Sequence, residues 1–165
     1  MTMFDDLLDA NRSYQSDLHD GSVAGKPARR LAVVTCMDTR IDPLAVLGLR
    51  PGDAKITRNA GARVTDDALR CLILATNLLD CDRICVIAHS RCAMAGSTED
   101  EMRAQVEEAS GASAAAWEFL STTDQVAALR ADVQRIHDCP LIADSVEIGA
   151  FVFDVDSGAL DPVEI

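Results

Sequence analysis

Two short apolar runs constrain this chain more than any other feature: Leu31 to Cys36 (LAVVTC) and Arg83 to Ala88 (RICVIA). Both are rich in β-branched residues and neither alternates apolar with polar. That is the pattern of strands buried on both faces of a parallel sheet. Ala54 to Arg58 (AKITR) reads as a weaker third strand, and Phe151 to Val155, Asp156-Ser157-Gly158 and Leu160 to Val163 as a strand, a turn and a short returning strand.

Helical patterns separate these runs. From Thr65 to Leu79, Thr65 is placed to cap, Asp66 and Asp67 suit the helix dipole, and Leu69, Leu72, Ile73 and Leu79 recur at helical spacing. Cys71, Leu74 and Leu78 add apolar surface on its other sides, so this helix is expected to be nearly engulfed by the sheet and its neighbours or by a subunit interface. Thr98 with Glu101 makes a capping box, and Val126, Leu129, Val133 and Ile136 continue a helical period before Pro140, so the region from about 98 to 138 is predicted helical. Within it, the small-residue run Ala109 to Ala116, broken by Gly111, reads as a helix end and loop. Phe4, Leu7, Leu8, Tyr14 and Leu18 mark an N-terminal helix, which Asp20, Gly21, Gly25 and Pro27 detach from the rest. The expected fold is α/β: a mostly parallel central sheet flanked by helices, with an antiparallel edge strand and an N-terminal helical arm that, by pattern alone, packs either on its own domain or on a partner subunit.

A chain of 165 residues without internal repeats is one domain, residues 1–165. Its length allows about 70% of the unfolded surface to be buried, enough for a core without disulfides. A formal charge of −12 and only six aromatic residues exclude a nucleic-acid face, which needs cations for phosphates and rings for bases. No apolar stretch approaches the roughly 18 residues of a membrane span. Met1 to Asp20 lacks the basic start and apolar centre of a signal peptide, so a cytoplasmic location is expected. In a reduced compartment, the cysteines at 36, 71, 81, 85, 92 and 139 are not staples, and some of them become candidate ligands.

Cys36 closes its strand and opens Cys36-Met37-Asp38-Thr39-Arg40, while His89-Ser90-Arg91-Cys92 lies just past the carboxyl end of another strand. Parallel strands bring those ends to one edge, where open α/β sheets carry their ligand crevice. Two thiolates and an imidazole suit a soft or borderline metal, and three ligands leave the fourth zinc position open, the mark of a catalytic site. Asp38 adds a carboxylate and Arg40 a cation able to hold it away from the metal. Taken alone, each piece is weak, since a lone cysteine ending an apolar strand is usually a small core residue. Cys71, Cys81, Cys85 and Cys139 have no paired spacing and read as structural thiols. His137 at a helix end and His19 by a turn need no catalytic role.

At these residues the chain resembles the β-class carbonic anhydrases, from about residue 28 to its end. The C-x-D-x-R and H-x-x-C segments match Cys36, Asp38, Arg40, His89 and Cys92; Arg58-Asn59-Ala60-Gly61 matches the R-N-A-G segment, and Phe151 to Gly158 the closing strand and turn. The resemblance implies one zinc per chain on Cys36, His89 and Cys92, and reversible hydration of carbon dioxide to bicarbonate and a proton by zinc-bound hydroxide. It also implies two positions for Asp38. Paired with Arg40, it accepts the hydrogen bond of the zinc-bound water or hydroxide; in a closed form it fills the fourth zinc position itself. Arg58, Asn59, Ala60 and Gly61 would line the substrate crevice. Homodimers follow too, often paired into tetramers, with residues 1–27 as the dimerisation arm. Ala93 stands where the family usually has glycine, and Arg91 where a small or acidic residue is frequent.

Two rival readings use the same residues. One is a hydrolase of carbonyl sulfide or carbon disulfide, as in some compact relatives. The other is a non-catalytic zinc or redox-sensing protein, with Cys36 and Cys92 responding to oxidation.

Overall fold

The computed structural model describes residues 3–17 and 24–165. Leu18, His19, Asp20 and Gly21, named above, lie outside the described residues. Five strands form one sheet: β1 (Leu31–Cys36), β2 (Ala54–Asn59), β3 (Arg83–His89), β4 (Glu147–Phe153) and β5 (Leu160–Val163), in the spatial order β2-β1-β3-β4-β5. The first four are parallel and β5 returns antiparallel to β4, as expected. β1 and β3 are neighbours, with Thr35 opposite Ile87, so the residues that follow them emerge side by side.

One face of the sheet carries Ala32, Val34, Ile84, Val86, Ala88 and Ala150. Helices α3 (Asp66–Leu78) and α5 (Gln125–His137) seal it with Leu72, Ala75, Leu129, Val133 and Ile136. The opposite face buries Leu31, Val33 and Ile87 with Ile41 and Phe153, under the short helix α2 (Pro43–Val46) and Leu47 and Leu49 beyond it. Asp42 caps α2 by accepting from the amides of Leu44 and Ala45, and Pro43 supplies the first helical turn. Four residues are too few for periodicity to announce.

Thr65 caps α3, accepting from Ala68 N. The apolar back of α3 is not covered by the described residues: Leu74 and Leu78 are exposed and Cys71 is half-buried. The helix is therefore engulfed on its sheet side alone.

The region 98–138 holds two helices, α4 (Glu99–Ser110) and α5, and the helix end and loop expected at 109–116 run on to residue 124. The capping box of Thr98 and Glu101 starts α4, and Gly111 ends it at φ 70°, a left-handed backbone that glycine adopts without strain. Residues 112–124 then run as an irregular segment held by carboxylates of α4. Glu99 accepts from Phe119 N (2.6 Å) and Ser121 N (3.1 Å), and Glu107 from Ala114 N (2.7 Å). Asp124 caps α5 by accepting from Ala127 N, and His137 falls in the last turn, where the dipole favours it.

β4 begins at Glu147 and ends at Phe153, so it starts earlier than its sequence pattern and leaves Val155 in the turn. Gly149 conceals the strand from a reading of apolar residues. A Cβ there would meet the Phe151 ring at 2.7 Å, so only glycine fits this strand position without moving the ring. Helix α1 (Asp5–Asp17) forms as expected and leaves Leu7, Leu8 and Tyr14 exposed. All six thiols are free; Cys81 and Cys139 are buried and Cys85 is half-buried in the core. No described helix is long and apolar enough to cross a membrane.

Candidate metal centre

Cys36 ends β1, His89 ends β3, and Cys92 follows three residues later; all three are buried. Their ligand atoms lie within 4.8 Å of one another, with the two sulfurs 4.0 Å apart. Adjacent parallel strands account for this convergence across 53 residues of sequence.

The imidazole is prepared for a metal. His89 Nδ1 lies 2.9 Å from the carbonyl of Ser90, which only accepts, so Nδ1 carries the proton and Nε2 presents its lone pair. Nε2 is buried and has no hydrogen-bond partner among the described residues. A buried nitrogen without a partner is costly unless something fills that role, and two sulfurs stand beside it. The donor set and its spacing fit zinc.

The sulfurs are held by the backbone as well. The shared proton of Cys92 pulls the Cys36 thiol well below its ordinary value, and the amides of Asp38 and Gly61 act in the same direction. Cys92 is pushed up by Cys36 in turn, while the Met94 amide opposes that rise. These N–H donors take up thiolate charge, the outer-shell tuning that a sulfur-rich zinc site needs. Gly61 makes this possible at φ 78°, and a Cβ there would crowd the Met94 Cβ at 3.1 Å.

Asp38 stands at the mouth of the cluster, its Oδ2 3.8 Å from His89 Nε2. Arg40 grips it at both oxygens: Nε to Oδ1 at 2.8 Å, Nη2 to Oδ2 at 2.7 Å, and the Arg40 amide to Oδ1 at 2.9 Å. The guanidinium keeps the Asp38 carboxyl well below the usual carboxylate range. Arg40 Nη2 also donates to the carbonyl of Arg91 (3.1 Å), a residue at φ 53° whose side chain pairs with Asp156.

In Arg58-Asn59-Ala60-Gly61, the Arg58 guanidinium donates to the carbonyls of Cys36 (2.9 Å) and Asp38 (2.7 Å), so it fixes the backbone that carries both. Asn59 braces the turn by bonding both the carbonyl and the amide of Arg63. Ala60 opens a short 3-10 turn, Ala60–Ala62. Ala93 opens another, Ala93–Ala95, without a positive φ, so its backbone does not require glycine.

Some groups around the site carry no sequence signal of their own. Behind Cys92 lies a small recess lined by Gly61, Met94, Leu120, Gln125 and Asp132. Gln125, the first residue of α5, donates to the carbonyl of His89 (3.1 Å). Arg63 forks onto Asp132 (2.6 and 3.3 Å) and donates to the Leu120 carbonyl (2.7 Å). Asp132 had one readable clue, since it is a charge set in the apolar stripe of Leu129, Val133 and Ile136.

Comparison with known proteins agrees with this geometry. A family model described as carbonic anhydrase matches residues 31–160. The chain is 34% identical over 163 residues to beta-carbonic anhydrase 1 of Mycobacterium tuberculosis, covering 99% of each. It superposes on the crystal structure of carbonic anhydrase from Streptococcus mutans with a TM-score of 0.93 and 35% identity, again over 99% of each chain. A shorter match, 50% identical over 74 residues, is to a carbon disulfide hydrolase of Saccharolobus solfataricus, covering 45% of this chain and 36% of that protein.

Proposed function

We propose, from the premise that this chain belongs to the β-class carbonic anhydrase family, that Cys36, His89 and Cys92 are its zinc ligands and that Asp38 and Arg40 do the proton-side work of the reaction. The chain is a zinc-dependent carbonic anhydrase, interconverting carbon dioxide with bicarbonate and a proton. Zinc, when bound, acidifies water so that it attacks carbon dioxide near neutral pH. The remaining steps belong to side chains. Asp38 is kept ionised by Arg40 and offers a proton-free acceptor beside the cluster. Accepting a hydrogen from the reacting water, it turns that oxygen's lone pair toward carbon dioxide. Arg58 holds the backbone carrying Cys36 and Asp38, and Gly61 lines the recess beside Cys92.

The orphaned Nε2 of His89 beside two sulfurs supports this reading most strongly. Stopped-flow hydration of carbon dioxide by the zinc-loaded protein tests it, with activity rising between about pH 7 and 9. Absence of hydration in a preparation holding one zinc per chain overturns it in favour of a non-catalytic zinc protein. The match to carbon disulfide hydrolase gives a second reading its own support. Sulfide release from carbon disulfide or carbonyl sulfide outpacing hydration on the same preparation would establish that one.

The functional unit is a homodimer. Its arm, residues 1–27, includes α1, whose Leu7, Leu8 and Tyr14 stay exposed on a single chain and need a second copy to cover them. Replacing Leu7 and Leu8 together by Glu should lower the mass measured by sedimentation; an unchanged mass refutes the arm. Six free thiols suit the reducing cytoplasm, which cell fractionation checks.

A further inference from the structure

The turn between β4 and β5 bonds directly to Ser90, the residue next to His89, which the reaction does not use. Every polar group of Ser90 is engaged. Its amide donates to the carbonyl of Phe153 (2.9 Å), its hydroxyl accepts from the amide of Val155 (3.0 Å), and its carbonyl receives the Nδ1 proton of His89 (2.9 Å). The peptide carbonyl that orients the imidazole is thus pinned from the far side by two bonds to another strand and its turn.

Asp154 builds that turn. Its Oδ1 accepts from Asp156 N (3.0 Å), Ser157 N (2.7 Å) and Ser157 Oγ (2.9 Å). Its own backbone closes the loop, with N–H to Ala159 O and C=O to Gly158 N, both at 2.8 Å. Backbone and hydroxyl of Ser157, with further help from the Ser90 hydroxyl and the Asp156 amide, bring the Asp154 carboxyl down to about 2, so it remains an ionised acceptor at working pH.

We propose that Ser90, held by the Asp154 turn, is a positioning residue that sets the ring plane and tautomer of His89 for zinc. The inference rests on His89 being a zinc ligand. Unlike a helper that merely stabilises the fold, Ser90 acts on one bond, the Nδ1–H to carbonyl contact, whose loss frees the ring to rotate or to exchange its proton between nitrogens. Outer-shell partners of this kind change metal affinity by about 10-fold to 100-fold.

The test uses the zinc-loaded full chain and three variants: Ser90→Ala, Ser90→Thr and Asp154→Asn. The rate of zinc transfer to a chromogenic chelator is measured beside the proton–nitrogen NMR signal of His89 Nδ1. Ser90→Ala should release zinc at least tenfold faster and broaden or shift that signal. Ser90→Thr, which restores the hydroxyl, should return both toward the parent values. Asp154→Asn keeps an acceptor oxygen for the turn amides and should fall between the two. A rate for Ser90→Ala less than tenfold above the parent overturns the proposal, even where the unfolding midpoint falls. Failure of Ser90→Thr to restore the rate overturns it as well. His89→Ala separates the premise from the proposal. If that variant retains a full zinc, the ligand assignment itself is wrong; if it loses zinc while Ser90→Ala does not, only the positioning role fails.

Discussion

Two forked arginine–carboxylate pairs flank the cysteine cluster, and they differ in every respect except chemistry. Asp38 and Arg40 are two residues apart on one loop, and their side chains keep 19% and 41% of their exposure. Asp132 and Arg63 are 69 residues apart, join α5 to the turn after β2, and keep 7% and 17%. The first pair is held by its own loop and stands at the mouth of the cysteine cluster, in partial contact with solvent. The second is sealed, and a third bond from Arg63 to Leu120 ties the irregular segment to the same cation. One arrangement is suited to chemistry and the other to holding α5 and the 112–124 segment against the sheet edge.

The largest expected effect breaks the buried pair. Asp132→Ala leaves the Arg63 cation without its partner in a shielded site, which costs about 3–5 kcal/mol. Urea unfolding of the zinc-loaded protein measures it, and a loss under about 1 kcal/mol would erase the distinction between the pairs. Next comes Asp38→Ala, which should cut hydration turnover by about 100-fold while leaving zinc content and the urea midpoint unchanged. Full turnover in this variant would remove Asp38 from the mechanism. Lysine substitutions sharpen the contrast, because an ammonium cannot fork. Arg63→Lys should lower stability by about 1–2 kcal/mol with turnover within about twofold of the parent. Arg40→Lys should do the reverse, lowering turnover by about tenfold at constant stability.

The smallest effect concerns Asp154, a carboxylate gripped mainly by amides and hydroxyls. Its carboxyl is lowered to about 2 in the folded chain, against about 3.9 when unfolded. A depressed folded value means that its contribution is fully present above about pH 4 and is lost as pH falls through about 2. Acid titration followed by circular dichroism should therefore show a shallower decline between pH 4 and 2 for Asp154→Asn. An identical slope would deny the carboxylate its part in the turn.

The metal cluster was legible in the sequence because strand ends and short spacings place it. Cys36, Asp38 and Arg40 share one loop, and His89 and Cys92 share another, so adjacency of two buried strands was enough to join them. The parallel order and antiparallel edge followed from the same apolar runs. What the sequence hid depends on contacts between distant elements. Arg63 meets Asp132 only after α5 packs, Gln125 reaches His89 across 36 residues, and Glu99 captures Phe119 and Ser121 from the far end of α4. The break in the 98–138 region was marked locally by Gly111, yet its length was set by those carboxylates and not by any breaker residue. Likewise, the start of β4 was masked because Gly149 contributes pairing without contributing side chain.

Helix α1 has 13 residues, and its Leu7, Leu8 and Tyr14 are left exposed by the described residues. Helices of this length are marginal when isolated in water. Its amide protons should therefore exchange with deuterated solvent almost as fast as those of an unstructured peptide when the protein is dilute, and slow as concentration rises. Exchange along residues 5–17 thus becomes a local clock for assembly, read at single amides and independent of both mass and zinc chemistry.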